Sequence, residues 1–356
     1  MNPETRPWSA TKRMIGVLGV VATLAGCSTD SSDSDASGGT GEVTVTNCAE
    51  QVTFPQPAQR LYVVEEAIIS MLLEIGAADR IAAVASLGED KDVLSEVYGK
   101  TTVDSLTMAS KDYPTFENVV AQQPDVMVGG WGYGFDPAEN LTPASLNQHD
   151  IAAYTLSESC RRDADSGRGI MPPWQAMLTD LSNLGKITGQ QSEASAAVAA
   201  MKQRLDDLRA APQISDVPTV FMVSTADKKI GTAGSSGAPQ AIIEAAGGRN
   251  ATADIHDTYT DVSWERLVSS KPDLIAFVQY PEQSYEQKVQ ALRNNPATKD
   301  LSAVKEGRFV SLPLVAWSPG PLSVDAAEHL RKALEKWDLV PDSDIEPTRD
   351  LLTNGS

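Results

Sequence analysis

From Gln190 to Ala211 the chain carries no Gly and no Pro, and Ala194, Ala197, Val198, Met201, Leu205 and Leu208 recur at helical spacing. Such a stripe predicts an amphipathic helix. Its Ala, Met, Leu, Gln and Arg residues favour helix intrinsically. Thr188 followed by Gln191 predicts a capping box at the start, and Pro212 a stop. At about 1.5 Å per residue the helix would run roughly 33 Å. On both sides of it, short apolar runs alternate with helical patterns. Before it come strands at 61–64, 81–84, 126–129 and 151–156, with helices at 67–75 (closed by Gly76) and 116–123. After it come strands at 219–223, 274–278 and 309–312, with helices at 239–246, 263–270 and 324–337. Strands alternating with helices predict parallel, helix-covered sheets.

The two halves echo one another. Thr115-Phe116-Glu117 and Pro124-Asp125-Val126 have counterparts, in register and without a gap, in Ser263-Trp264-Glu265 and Pro272-Asp273-Leu274. A repeat this long is one of two supersecondary assemblies rather than a solenoid unit. The expected fold is therefore α/β: two lobes, each a parallel sheet covered by helices, joined by one long connecting helix. The expected boundaries are an N-terminal lobe at 42–188, the connector at 189–212, a C-terminal lobe at 213–340 and a tail at 341–356.

Residues 1–41 read differently. Arg6, Lys12 and Arg13 precede an apolar run from Met14 to Ala25, too short for a permanent span. Leu24-Ala25-Gly26-Cys27 follows, and this resembles the lipobox of bacterial lipoproteins, in which the cysteine is acylated and becomes the mature N-terminus. Residues 1–27 are then a signal peptide. Residues 28–41, made largely of Ser, Asp, Gly and Thr, form a disordered tether. Export places the protein where disulfides persist, so the remaining cysteines, Cys48 and Cys160, are expected to pair. The formal charge of −19 argues against nucleic acid or an anionic bilayer as a partner bound by charge.

The lipobox, the two echoed lobes, the single connecting helix and the paired Glu…Pro-Asp units resemble the substrate-binding proteins of ABC importers for ferric siderophores, haem and cobalamin. The resemblance covers roughly residues 42–340. It implies a monomeric receptor, lipid-anchored to the outer face of the cell membrane, whose partners are a small-molecule metal chelate and the importer's permease and ATPase. It also implies that Glu117 and Glu265 dock, one per lobe, onto arginines of the permease, and that the hinge motion is small. Either Glu in the first turn of a helix also has the simpler role of complementing the helix dipole.

Ligand residues follow less directly. Trp131, Tyr133 and Phe135 alternate with glycines just after a strand, so they are candidates to stack on a flat ligand. Tyr259 falls six residues before Glu265, where cobalamin binders place an aromatic. Tyr280 and Trp317 follow later strands, and Lys111 precedes Glu117 by the same six positions. Arg161, Arg162 and Arg168 are further candidates for an anionic chelate. His149, His256 and His329 are scattered, and His256 with Tyr259 keeps haem in view. No P-loop and no Gly-x-Ser-x-Gly elbow is present, so neither an enzyme, a cofactor nor a resident metal is expected. The reading is a solute receptor for a chelate, with a ferric siderophore foremost. Cobalamin or haem in the same fold, a lipoprotein hydrolase and an adhesion lipoprotein are the alternatives.

Overall fold

The computed structural model describes residues 41–352 apart from residues 89, 162–167 and 281. The predicted leader, Cys27 and the tether lie outside the described residues.

The first lobe opens with an antiparallel hairpin, β1 (Gly41–Asn47) and β2 (Glu50–Gln56), that carries no Gly at its turn. Cys48 and Ala49 occupy that turn with φ of 48° and 68°. Positive φ at both central residues is the backbone of a type I′ turn, usually given to Asn-Gly. One covalent bond and two hydrogen bonds hold this unfavoured turn to the lobe. Cys48 is joined to Cys160, as the cysteine count predicts. Asn47 donates to the Thr155 carbonyl and accepts from the Thr155 N–H, at 2.6 and 2.8 Å.

The order continues β3 (Leu61–Val64), α1 (Glu66–Glu74), β4 (Ile81–Ala85), α2 (Lys91–Tyr98), α3 (Lys100–Asp104), β5 (Met108–Ser110), α4 (Phe116–Ala121), β6 (Val126–Trp131), β7 (Gly134–Phe135), α5 (Pro143–Asn147) and β8 (Ala152–Thr155). Two helices follow, α6 (Pro173–Thr188) and α7 (Gln191–Ala210). The second lobe runs β9 (Thr219–Val223), β10 (Ile230–Ala233), α8 (Ala238–Ala245), β11 (Arg249–Asn250), β12 (Tyr259–Val262), α9 (Trp264–Ser270), β13 (Leu274–Gln279), α10 (Tyr285–Asn294), α11 (Ser302–Glu306), β14 (Phe309–Pro313), α12 (Leu314–Trp317) and α13 (Leu322–Lys336).

Both main sheets are parallel and share one strand order. In the four strands they have in common, the first (β3, β9) lies between β4 or β11 on one side and β6 or β13 on the other, and β8 or β14 flanks the latter; β5 and β7 extend the sheet of the first lobe. The echoed Pro-Asp has a physical purpose beyond the turn. The Asp125 carboxylate accepts the N–H groups of Gln59 and Arg60, and Asp273 accepts that of Thr219, so each Asp clasps the start of the neighbouring strand.

The central strands alternate between two cores, as a period of two requires. Tyr62, Val64 and Met127 face a core private to the first lobe, and Phe221, Val223, Ile275 and Phe277 one private to the second. Leu61, Val63, Val126 and Val128 face the same cluster as Val220, Met222, Leu274, Ala276 and Val278, with α1, α6, α7, α8 and α13 completing it. The lobes thus share a hydrophobic interior.

The connecting region departs from expectation in two ways. The predicted capping box is absent: Thr188 belongs to α6, its hydroxyl donates to the Leu184 carbonyl, and Gly189 in the left-handed region closes that helix. Gln190 caps α7 without a side-chain hydrogen bond. The 16-residue α6, unforeseen in the sequence, packs on β1, β2 and α1 of the first lobe and on α8 of the second. The predicted stripe of α7 is realised in Ala194, Met201, Leu205 and Leu208, which are buried, with Ala197 and Val198 half-buried. Gly185 lets α7 come close, since a Cβ there would sit 2.4 Å from that of Ala194.

Candidate functional site

A cleft of about 470 Å³ opens between the lobes, and the carboxyl ends of strands from both lobes supply much of its wall. From the first lobe Glu65 follows β3, Tyr113 follows β5, Gly132 and Tyr133 follow β6, and Glu158 follows β8. From the second, Ser224 and Thr225 follow β9, Tyr280 follows β13, and Leu314 follows β14. Thr232 on β10, Tyr259 to Asp261 on β12, and Ser318 complete that wall, and Arg168 stands between. The carboxyl ends of strands are where open α/β sheets bind ligands, because loops there converge without blocking the sheet.

Of the aromatics expected in the site, the cleft brings together Tyr133, Tyr259 and Tyr280. Trp317 is fully buried in the core; only its carbonyl serves the cleft wall, accepting the Tyr259 hydroxyl at 3.0 Å. Phe135 is also buried, and Trp131 packs on it at a centroid distance of 5.8 Å, both bordering a separate surface hollow with Cys48 and Arg161. Gly132 lines the cleft, but Gly129, Gly130 and Gly134 make room for protein rather than ligand. A Cβ on Gly130 would lie 2.0 Å from the Tyr133 ring. Lys111 is exposed and does not line the cleft. Neither does His256, whose Nδ1 lies 3.2 Å from Ser235 Oγ. Arg168 reaches the cleft with its Nε 3.5 Å from Asp257, and Arg162 lies outside the described residues.

Two carboxylates dominate the site, and sequence reasoning passed over both. Glu65 caps α1 with φ 70° and ψ 150°, a region almost reserved for glycine. Its carboxylate accepts the Tyr113 hydroxyl. Burial raises its pKa, opposed by the bond from Tyr113 and by Arg168. Glu158 is 3% exposed, and its Oε2 has no hydrogen-bond partner. Burial lifts its pKa to about 8 against the pull of Arg168. The cleft tyrosines register the same negative field. Tyr113, Tyr133, Tyr259 and Tyr280 are all raised, by burial first, and Glu65 adds to the shift in each. The signal for Glu65 was its place at the junction of an apolar strand and a helix. Glu158 had no comparable mark.

Glu117 and Glu265 stand apart from the cleft. Both are exposed and lie in the first turns of the corresponding helices α4 and α9. Hydrogen bonds from the Ser263 side chain and its own backbone N–H lower the pKa of Glu265.

Residues 62–316 match the family described as periplasmic binding protein. The chain belongs to this family. Membership places it outside the cytoplasm and among binding proteins rather than enzymes. Among solved structures, an ABC-type Fe3+-hydroxamate transport system from Saccharomonospora viridis superposes with a TM-score of 0.69 at 20% identity, covering 82% of this chain and 98% of that one. A periplasmic heme binding protein from Pseudomonas aeruginosa gives 0.63 at 21% identity, covering 83% and 96%. The periplasmic vitamin B12 binding protein of Vibrio cholerae gives 0.58 at 20% identity, covering 79% and 98%. At these identities the likeness speaks for the fold. A cobalamin-binding protein of Halobacterium salinarum is 24% identical over 227 residues, 63% of this chain. The match spans 55% of that relative's length.

Proposed function

We propose that the protein is a lipid-anchored receptor that captures a ferric siderophore between its lobes and delivers it to the permease of an ABC importer. The observation that carries this reading is the cleft itself, walled from both lobes by strand-end residues and large enough for a small chelate. The leader at 1–27, acylation at Cys27 and the tether at 28–41 supply the anchor. The lobes at 42–188 and 213–340 move little about the rod at 189–212, because they share a hydrophobic interior. Glu117 and Glu265, exposed on corresponding helices, are the docking pair.

The cobalamin-binding relative supports a second cargo, a corrinoid, in the same cleft. Haem is less well served. The Tyr259 hydroxyl is committed to the Trp317 carbonyl, and burial with the field of Glu158 and Glu65 holds its proton on, which opposes ligation of iron through a phenolate.

The test is uptake of radioactive iron by cells in which this receptor supplies the only route. Wild type should restore uptake from at least one ferric siderophore. The double charge reversal Glu117→Arg/Glu265→Arg should abolish it while the purified variant keeps its affinity for that chelate. Absence of uptake from every chelate that binds the wild type would refute delivery.

A further inference from the structure

The proposed function leaves open what kind of chelate the cleft selects, and the lining charges bear on that. Three carboxylates, Glu65, Glu158 and Asp261, face one guanidinium, Arg168, among the described residues of the cleft. That guanidinium already has Asp257 beside it. Of the other candidate cations for an anionic cargo, Lys111 lies outside the cleft, Arg161 borders the separate hollow, and Arg162 is outside the described residues.

A cluster of acids is not in itself a site, but two cleft side chains buried to more than nine-tenths each carry an oxygen left without a partner. Glu158 Oε2 and Thr232 Oγ1 are both on the cleft wall, on residues 3% and 1% exposed, and neither has a hydrogen-bond partner. An unsatisfied buried oxygen of this kind is costly unless something in the site pairs with it. Both can accept hydrogen bonds, and Glu158, which by itself holds its proton up to about pH 8, accepts with charge once a bound cation draws that proton off. Around them stand the rings of Tyr113, Tyr133, Tyr259 and Tyr280. Aromatic faces attract cations through their quadrupole. Carboxylates deep in the cleft, an open hydroxyl and aromatic walls together describe a receptor for a positively charged donor.

Resting on the reading of this cleft as the cargo site, we infer that the cargo is a chelate bearing a cationic amine arm, which Glu158 and Glu65 hold inside the tyrosine walls. Ferric chelates of net negative charge, including tricatecholates and carboxylate-rich forms, are selected against. The strained backbone at Glu65 fits this assignment. A glycine would relieve it, yet the chain keeps a carboxylate at that point.

The probe is a set of three ferric complexes of one linear trihydroxamate ending in a primary amine: the free amine, its N-acetyl form and its N-succinyl form. They share iron coordination and differ in charge by single steps. Affinities are read by tryptophan fluorescence quenching at pH 8.5, with haem and cyanocobalamin run alongside. The amine form should bind at least about tenfold tighter than the acetyl form, as expected for one close charge pair in a partly desolvated site. The succinyl form should bind weakest. In Glu158→Gln and in Glu65→Gly the preference for the amine should fall below about threefold. The glycine variant should also melt higher than wild type, which guards against loss through misfolding. Equal binding of amine and acetyl forms, or preference for the succinyl form, overturns the inference and leaves chelate capture standing. So does binding of haem or cyanocobalamin in place of all three hydroxamates. Persistence of the preference in both variants overturns the assignment to Glu158 and Glu65. If nothing in the panel binds, the proposed function falls, and this inference with it.

Discussion

Removing the Cys48–Cys160 bond isolates one large and calculable contribution to stability. The bond joins residues 112 apart. In the chain-entropy account, closing a loop of that length lowers the entropy of the unfolded chain by an amount worth about 4.7 kcal/mol at 25 °C. The native contacts at the same place are not carried by the bond alone. Asn47 still grips the Thr155 backbone through two hydrogen bonds, and β1 pairs with β2 along its whole length. The double variant Cys48→Ala/Cys160→Ala should therefore fold to the same structure and lose stability mainly through its unfolded state. With an unfolding entropy of about 2.1 cal/mol/K per residue over roughly 310 residues, the melting temperature should drop by about 7 °C. Urea denaturation followed by far-ultraviolet circular dichroism gives the free energy directly. A loss of about 3–5 kcal/mol with a single transition matches the argument. A loss under about 1 kcal/mol, or a separate early transition of the first lobe, would refute it, because the bond would then be strained or the lobes independent.

Other outcomes follow from the same structure. Ala49→Gly should stabilise by about 0.5–1 kcal/mol in the same urea assay, since Gly adopts the positive φ of the hairpin turn without a Cβ penalty. Burial raises the pKa of Glu66 and Glu158 to about 8 and of Asp180 to about 7. The folded state thus holds these protons more tightly than the unfolded chain. Their contribution is full below about pH 4 and is lost as pH rises through 7 to 8, at up to about 1.4 kcal/mol per group for each pH step. The melting temperature should therefore fall from pH 5.5 to 8.5, and Asp180→Asn should flatten part of that slope. Arg349 pairs with Glu74 of the first lobe and Asp325 of the second, strapping the tail across both. Arg349→Ala should cost about 1–3 kcal/mol and expose the segment after Lys336 to limited proteolysis.

Much of the architecture could be read from the chain because local propensity and burial agree there. The strands 61–64, 219–223 and 274–279 are apolar on both faces and sit in helix-covered parallel sheets. The echo of Thr115–Val126 in Ser263–Leu274 became a shared strand order. The misses lie where a residue contradicts its local setting. Gly185 looks like a break, yet it sits inside α6 so that Ala194 can approach. Cys48 and Ala49 give no turn signal, yet both take positive φ. Glu65 holds a backbone conformation suited to glycine and for that reason went unnoticed as a cleft residue. The aromatic loop misled in the opposite way. Its glycines suggested space for a ligand, but Gly130 accommodates the Tyr133 ring and Phe135 entered the core, leaving Gly132 and Tyr133 at the cleft; Trp317, after a later strand, is buried as well. Such conflicts between local rule and actual placement gather at functional sites.

Titration of the purified receptor with ferric trihydroxamate, paired with a variant whose cleft is filled, bears most directly on capture between the lobes. Thr232 is buried on the cleft wall, and Thr232→Trp would place an indole in that space. The account predicts saturable quenching at one chelate per wild-type chain and none in a folded Thr232→Trp variant. Saturable binding that survives the filled cleft would contradict it.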